Sequence, residues 1–94
     1  MNEQAYAWAW KQVNLSTEQS LILLALAHFL DEGRIVARMP IAELVDKSRQ
    51  VQTEVLTRLQ ELKTKGLISY DLALIPDTLA YALPVKLDEV ASHE

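Results

Sequence analysis

The sequence predicts a mainly α member of the α+β class, three helices followed by a C-terminal β-hairpin, and three observations carry that expectation. Two apolar-periodic segments, "STEQSLILLALAHFLDEG" and "SRQVQTEVLTRLQELKTKG", each bring their own start and stop signals. The segment "LISYDLALIPDTLAYAL" holds two apolar, aromatic-bearing runs on either side of a turn-favouring Pro76-Asp77 pair. The chain has 94 residues, half of them apolar, and only two glycines, which suits a single small core rather than several domains.

The first helix of this scheme runs over Thr17–Glu32. Ser16 followed three residues later by Gln19 is a capping-box pattern, and Gly33 can take up the left-handed stop. Leu21, Ile22, Leu24, Leu26, Phe29 and Leu30 cover most of its circumference, so it is expected to be the most buried helix. The β-branched "RIVARM" suits a short strand over Ile35–Ala37. Pro40 stands where a first helical residue tolerates proline, and "IAELV" makes a second helix of barely two turns. Ser48 is the expected N-cap of the third and longest helix, Arg49–Lys65, which Gly66 ends. The hairpin strands are expected at Leu67–Leu74 and Leu79–Leu83. This divides the chain into an aromatic N-terminal arm (1–15), the folded domain (16–84) and an acidic tail (85–94).

Several functions are disfavoured by composition alone. There is no cysteine, which rules out disulfides and thiolate metal sites. The start "MNEQAYAWAW" lacks a secretory pattern, and "LILLALAHFL" is too short and interrupted to span a bilayer, so a cytoplasmic protein without a membrane partner is expected. His28 sits in the most apolar stretch and is read as partly buried and hydrogen-bonded, and His93 as exposed. With no third or fourth ligand near either, no metal is expected. There is no glycine-rich phosphate loop and no nucleophile beside a recognisable base, so no catalytic residue, no cofactor and no enzymatic activity are expected.

Charge is unevenly distributed. The net charge is −4, yet residues 34–65 hold seven basic residues against four acidic ones. Binding to polyanions is driven by counterions released at clustered Lys and Arg, so only this middle third is suited to it.

The element order helix, short strand, short helix, long helix, hairpin resembles a winged helix-turn-helix domain. It is especially similar to the small DNA-binding domains of phage and plasmid replication proteins and of bacterial transcription regulators. The residues that carry the resemblance are "LSTEQSLILLALAHFLDEGR", "IAEL" and "VLTRLQELKTKGLI", and the resemblance as a whole covers roughly Trp8–Leu83. The resemblance implies that the third helix enters the major groove of double-stranded DNA, where glutamine can bond adenine, arginine guanine, and threonine a thymine methyl. Arg49, Gln50, Thr53 and Thr57 are then the expected base contacts. Arg34, Arg38, Lys47, Arg58, Lys63 and Lys65 are the expected phosphate contacts, with Arg58 and Lys65 nearest the packed side.

A rival expectation is kept beside this one. Gln and Thr also serve simply to solvate a helix, and the hairpin offers Asp71 and Asp77 but no cation, which suits protein contact better than phosphate. On that reading the domain is a protein-interaction or oligomerisation module with a partner at the acidic wing, Tyr81 and Asp77 included. The arm "AYAWAW", in which helical spacing pairs Tyr6 with Trp10, is expected to pack on the first helix or to join two copies, with the wing as a second route to a homodimer.

Overall fold

The computed structural model describes residues 2–31, 33–73 and 78–85. Its elements are α1 (Glu3–Trp10), α2 (Thr17–Phe29), β1 (Val36–Pro40), α3 (Ile41–Ser48), α4 (Gln52–Thr64), β2 (Ser69–Ala73) and β3 (Thr78–Ala82). Among the described residues this is a small, mainly α member of the α+β class, with four helices and one three-stranded antiparallel sheet. The expected turn at Pro76-Asp77 and the tail from residue 86 onward, His93 included, lie outside the described residues.

The element missing from the expected scheme is α1. Asn2 caps it, its Oδ1 accepting from the Ala5 amide at 3.0 Å. The same side chain donates to the Asp31 carbonyl (3.1 Å) and the Arg34 carbonyl (2.6 Å), and it is fully buried. One asparagine thus starts a helix and fastens the α2–β1 loop. Ala5 and Ala9 are small enough to bring α1 against α2, so the arm belongs to the core.

α2 begins as expected. Ser16 Oγ accepts from the Gln19 amide, and Gln19 Oε1 accepts from the Ser16 amide, closing the capping box. It ends at Phe29 rather than Glu32, because Leu30 leaves the helix in an extended conformation (φ −66°, ψ 141°) that buries its side chain. Gly33 still has positive φ (81°), but in the loop beyond that end. The last carbonyls of α2 need partners, and the Tyr81 hydroxyl supplies one by donating to the Leu26 carbonyl at 2.7 Å. Burial pushes the Tyr81 hydroxyl's pKa well above the usual tyrosine range.

The sheet has the order β1-β3-β2. β1 pairs Val36 with Ala82 and Met39 with Leu79; β2 pairs Ser69 with Ala82 and Leu72 with Leu79. Alternation sends Met39, Leu79 and Tyr81 into the core and Val36, Arg38, Ser69, Asp71, Ala80 and Ala82 to the opposite face. β1 starts a residue later than expected and runs to Pro40, which then serves as the N-cap residue of α3 rather than its first helical residue. The core joins α2 (Ile22, Leu23, Leu26), α3 (Ile41, Leu44), α4 (Val55, Leu59, Leu62) and the sheet. Val85, assigned by sequence to the tail, is also buried there.

Candidate nucleic-acid interface

The residues expected to read DNA lie in and after the α3–α4 turn, and the local fold there differs from the sequence expectation. Ser48 does not cap α4. It is the buried last residue of α3. Arg49 follows as the α3 C-cap in the left-handed conformation (φ 61°, ψ 29°), its amide bonded to the Val45 carbonyl. Gln50 then turns inward: it is 8 % exposed, and its Nε2 donates to the Glu18 carbonyl at 3.1 Å. Val51, inside the expected helix Arg49–Lys65, is instead the N-cap residue of α4 and 60 % exposed. α4 therefore starts three residues later than expected.

Gln50 is thereby removed from the expected base contacts, because its amide is spent on α2. Arg49, Thr53 and Thr57 remain exposed, together with Gln52, Glu54, Gln60 and Thr64 on the outer side of α4. The Thr57 hydroxyl donates to the Thr53 carbonyl at 3.0 Å, and Thr64 to the Gln60 carbonyl likewise. Those bonds direct each hydroxyl along the helix and leave the threonine methyls for outward contact. No side chain caps the α4 N-terminus, so the first-turn amides are left to solvent or to a ligand. Lys47, in the last turn of α3, is exposed beside this end.

The expected phosphate contacts separate into three groups. Lys47 stands with Arg49 at the α3–α4 turn. Arg58 and Lys65 have partners within the chain at the surface: Arg58 Nε lies 3.1 Å from Glu61 Oε1, and Lys65 Nζ donates to the Asn14 carbonyl at 3.2 Å. Glu61 also accepts from Gln19 Nε2 at 2.8 Å, which ties the last turn of α4 to the capping box of α2. Arg34, Arg38 and Lys63 form the third group. They border an open trough of about 710 Å³ on the sheet, and the Lys63 ammonium lies 5.3 Å from the centre of the Tyr70 ring.

Comparison with known proteins adds no family to this geometry. No protein-family model matches the chain, and no curated protein or solved structure is significantly similar to it.

Two further expectations are revised by the structure. His28 is exposed rather than partly buried, with its ring edge-on to Tyr6 at 6.0 Å between centroids. The α2 face it occupies looks toward α1, where Tyr6 and Trp10 pair edge-to-face at 6.3 Å as the i, i+4 spacing predicted. Tyr81, named as a wing-surface residue, is buried and bonded to α2, so it cannot serve as a contact for a partner. Among the described residues no group of three or more His, Cys, Asp or Glu is placed to hold a metal. No helix among them is long and apolar enough to cross a membrane.

The trough is the feature that sequence reading missed. Its signal was present: once β1 is extended to Pro40, Arg38 and Asp71 both pair with Ala80 and face outward with it. The shorter expected strand, ending at Ala37, left Arg38 out of the sheet.

Proposed function

We propose that the chain is a winged helix-turn-helix domain that binds duplex DNA, with the N-terminal end of α4 presented to the major groove. In this reading Arg49 and Thr53 contact base edges, Thr57 adds a methyl contact, and Lys47 with the uncapped first-turn amides holds a phosphate. The resemblance extends this reading to a role in transcription regulation or in replication initiation.

The observation that carries the proposal is Arg49. A non-glycine residue in the left-handed region costs about 1 kcal/mol or more, and the position following a helix is normally given to glycine for that reason. Here the site holds an exposed arginine that makes no ion pair or side-chain hydrogen bond among the described residues. Backbone strain retained under a charged, outward-pointing side chain is a recognised mark of a functional position. The order of elements after α1, helix, strand, helix, helix, hairpin, is the one the resemblance implies and supports the same reading.

Glu54 opposes it locally, since a carboxylate in the first turn of α4 repels phosphate while stabilising the helix dipole. The interface is therefore expected to bind with modest affinity and a limited salt slope, resting on about two cations rather than six.

The test is fluorescence anisotropy of a labelled random duplex pool across a salt series, followed by selection of bound sequences. Salt-sensitive binding that loses its sequence preference in Arg49→Ala supports the reading. No binding at low salt, or an unchanged preference in Arg49→Ala, overturns it.

A further inference from the structure

The trough on the outer face of the sheet lies at the far end of α4 from the proposed reading end. Lys63 is about 15 Å along the helix from Thr53 at 1.5 Å per residue. Its floor is the central strand, where Ala80 and Ala82 stand lower than their neighbours on either side. One rim carries Arg34 and Arg38, both exposed and without an ion pair among the described residues. The other carries Asp71 and, beyond the strand edge, Lys63. Three cations and one carboxylate give the trough a local charge of +2 on a chain of net charge −4.

We infer that this trough binds an extended acidic segment of a partner protein, laid along β3 with its carboxylates toward Arg34 and Arg38. Three features select that occupant. The rims stand on β1 and β2, the two neighbours of β3, so they are about 10 Å apart at ordinary strand spacing. That width admits a single peptide chain and excludes the broad cylinder of a duplex. Of the two aromatic residues that line the trough, Tyr81 is buried and the half-buried Tyr70 ring already carries the Lys63 ammonium 5.3 Å from its centre, so neither is the open stacking platform that a single-stranded nucleic acid uses. The charge complements carboxylates on the β1 rim, whereas Asp71 repels them on the β2 rim. This asymmetry sets the direction in which the acidic residues point. The site shares none of its lining residues with the proposed DNA contacts Lys47, Arg49, Thr53 and Thr57, so it stands independently of the DNA proposal.

The experiment is fluorescence anisotropy with a labelled glutamate-rich decapeptide, run beside a lysine-rich decapeptide, a single-stranded oligonucleotide and a duplex of equal charge. Saturable binding of the acidic peptide is expected. It should weaken about tenfold or more in the Arg34→Glu, Arg38→Glu double variant and tighten severalfold in Asp71→Asn. The Arg34→Gln, Arg38→Gln variant repeats the test with a smaller electrostatic perturbation of the fold, and thermal melting establishes that each variant is folded. Absence of acidic-peptide binding, equal binding by folded double variants, or preferential single-stranded nucleic-acid binding that the same substitutions abolish would overturn the assignment. Duplex binding unchanged in the double variants shows that this site and the α4 interface are separate, whatever the fate of the DNA reading.

Discussion

The two ends of α4 are built on opposite plans. At its C-terminus every local signal is answered: Lys65 caps the helix, Gly66 takes the left-handed conformation (φ 80°), and the amides of Gly66 and Leu67 return to the carbonyls of Lys63 and Leu62 at 2.9 and 3.0 Å. That is a Schellman closure, and the nearby cations are occupied, Lys63 on Tyr70 and Lys65 on Asn14. At the N-terminus the cap residue is a valine with no polar side chain, the preceding left-handed position holds Arg49 rather than glycine, and Lys47 and Arg49 are unpaired among the described residues. One end is optimised for stability and the other is left unsatisfied. Natural helices often keep unoptimised caps, so this difference is what the proposed role of the N-terminal end requires rather than a proof of it, and the substitutions below separate the two.

The sharpest test of that contrast removes cations from each end in turn. Lys47→Ala with Arg49→Ala is expected to weaken duplex binding by about ten- to a hundredfold at low salt and to lower the salt slope by about two. Lys63→Ala with Lys65→Ala should change affinity by less than about threefold. Anisotropy titrations at several ionic strengths measure both. Equal losses at the two ends would erase the functional distinction and return the basic middle third to a diffuse electrostatic role.

The stability side of the comparison rests first on Tyr81, which completes the C-terminal end of α2. Tyr81→Phe keeps the packing but leaves the buried Leu26 carbonyl without that donor, a loss of about 1–2 kcal/mol by denaturant unfolding. The pH dependence has a definite sign. The hydroxyl's pKa is raised in the folded state, so the native protein holds this proton after the unfolded chain has released it. Its contribution is complete below about pH 10, the ordinary tyrosine value, and declines as pH rises above it. The Phe variant should therefore show a shallower alkaline loss of stability than the parent protein, and identical alkaline limbs would rule out the assigned role.

Gly66→Ala tests the closed end directly. A Cβ placed there meets nothing within 4 Å, so any loss comes from the positive φ alone, and about 1 kcal/mol is expected. A loss several times larger would mean that the end of α4 is held by packing rather than by its Schellman geometry.

These two ends also explain which parts of the fold were legible in the sequence. Signals confined to a few consecutive residues transferred well: the Ser16/Gln19 capping box, the Gly66 stop, the Tyr6–Trp10 spacing and the alternating strands of the hairpin. Signals that depend on a distant partner did not. Ser48 has the chemistry of an N-cap, but Gln50 is pulled to the Glu18 carbonyl on α2, and this long-range bond lets α3 run through Ser48 and delays α4 to Gln52. Asn2 gave no sign that it would anchor residues Asp31 and Arg34. The candidate site suffered most because it lies in a turn, where a shift of three residues moves Gln50 from the outer face to the interior. Local charge pointed to the middle third of the chain, but only the strand pairing separates Arg34 and Arg38 from Lys47 and Arg49.

The smallest expected effect is the most discriminating, because its two readouts move in opposite directions. Arg49→Gly relieves the cost of a left-handed side-chain-bearing residue but adds backbone entropy to the unfolded chain, so a net gain of about 0.5 kcal/mol is expected. Urea denaturation measures the gain, and its m-value should be unchanged. The same variant should lose the duplex sequence preference, since the guanidinium proposed to read base edges is gone while the turn geometry is preserved. If stability rises and preference is lost, Arg49 is held in a strained conformation for the sake of its side chain. If stability falls, the arginine stabilises the turn, the strain has a structural explanation, and the unsatisfied N-terminal end of α4 no longer argues for DNA.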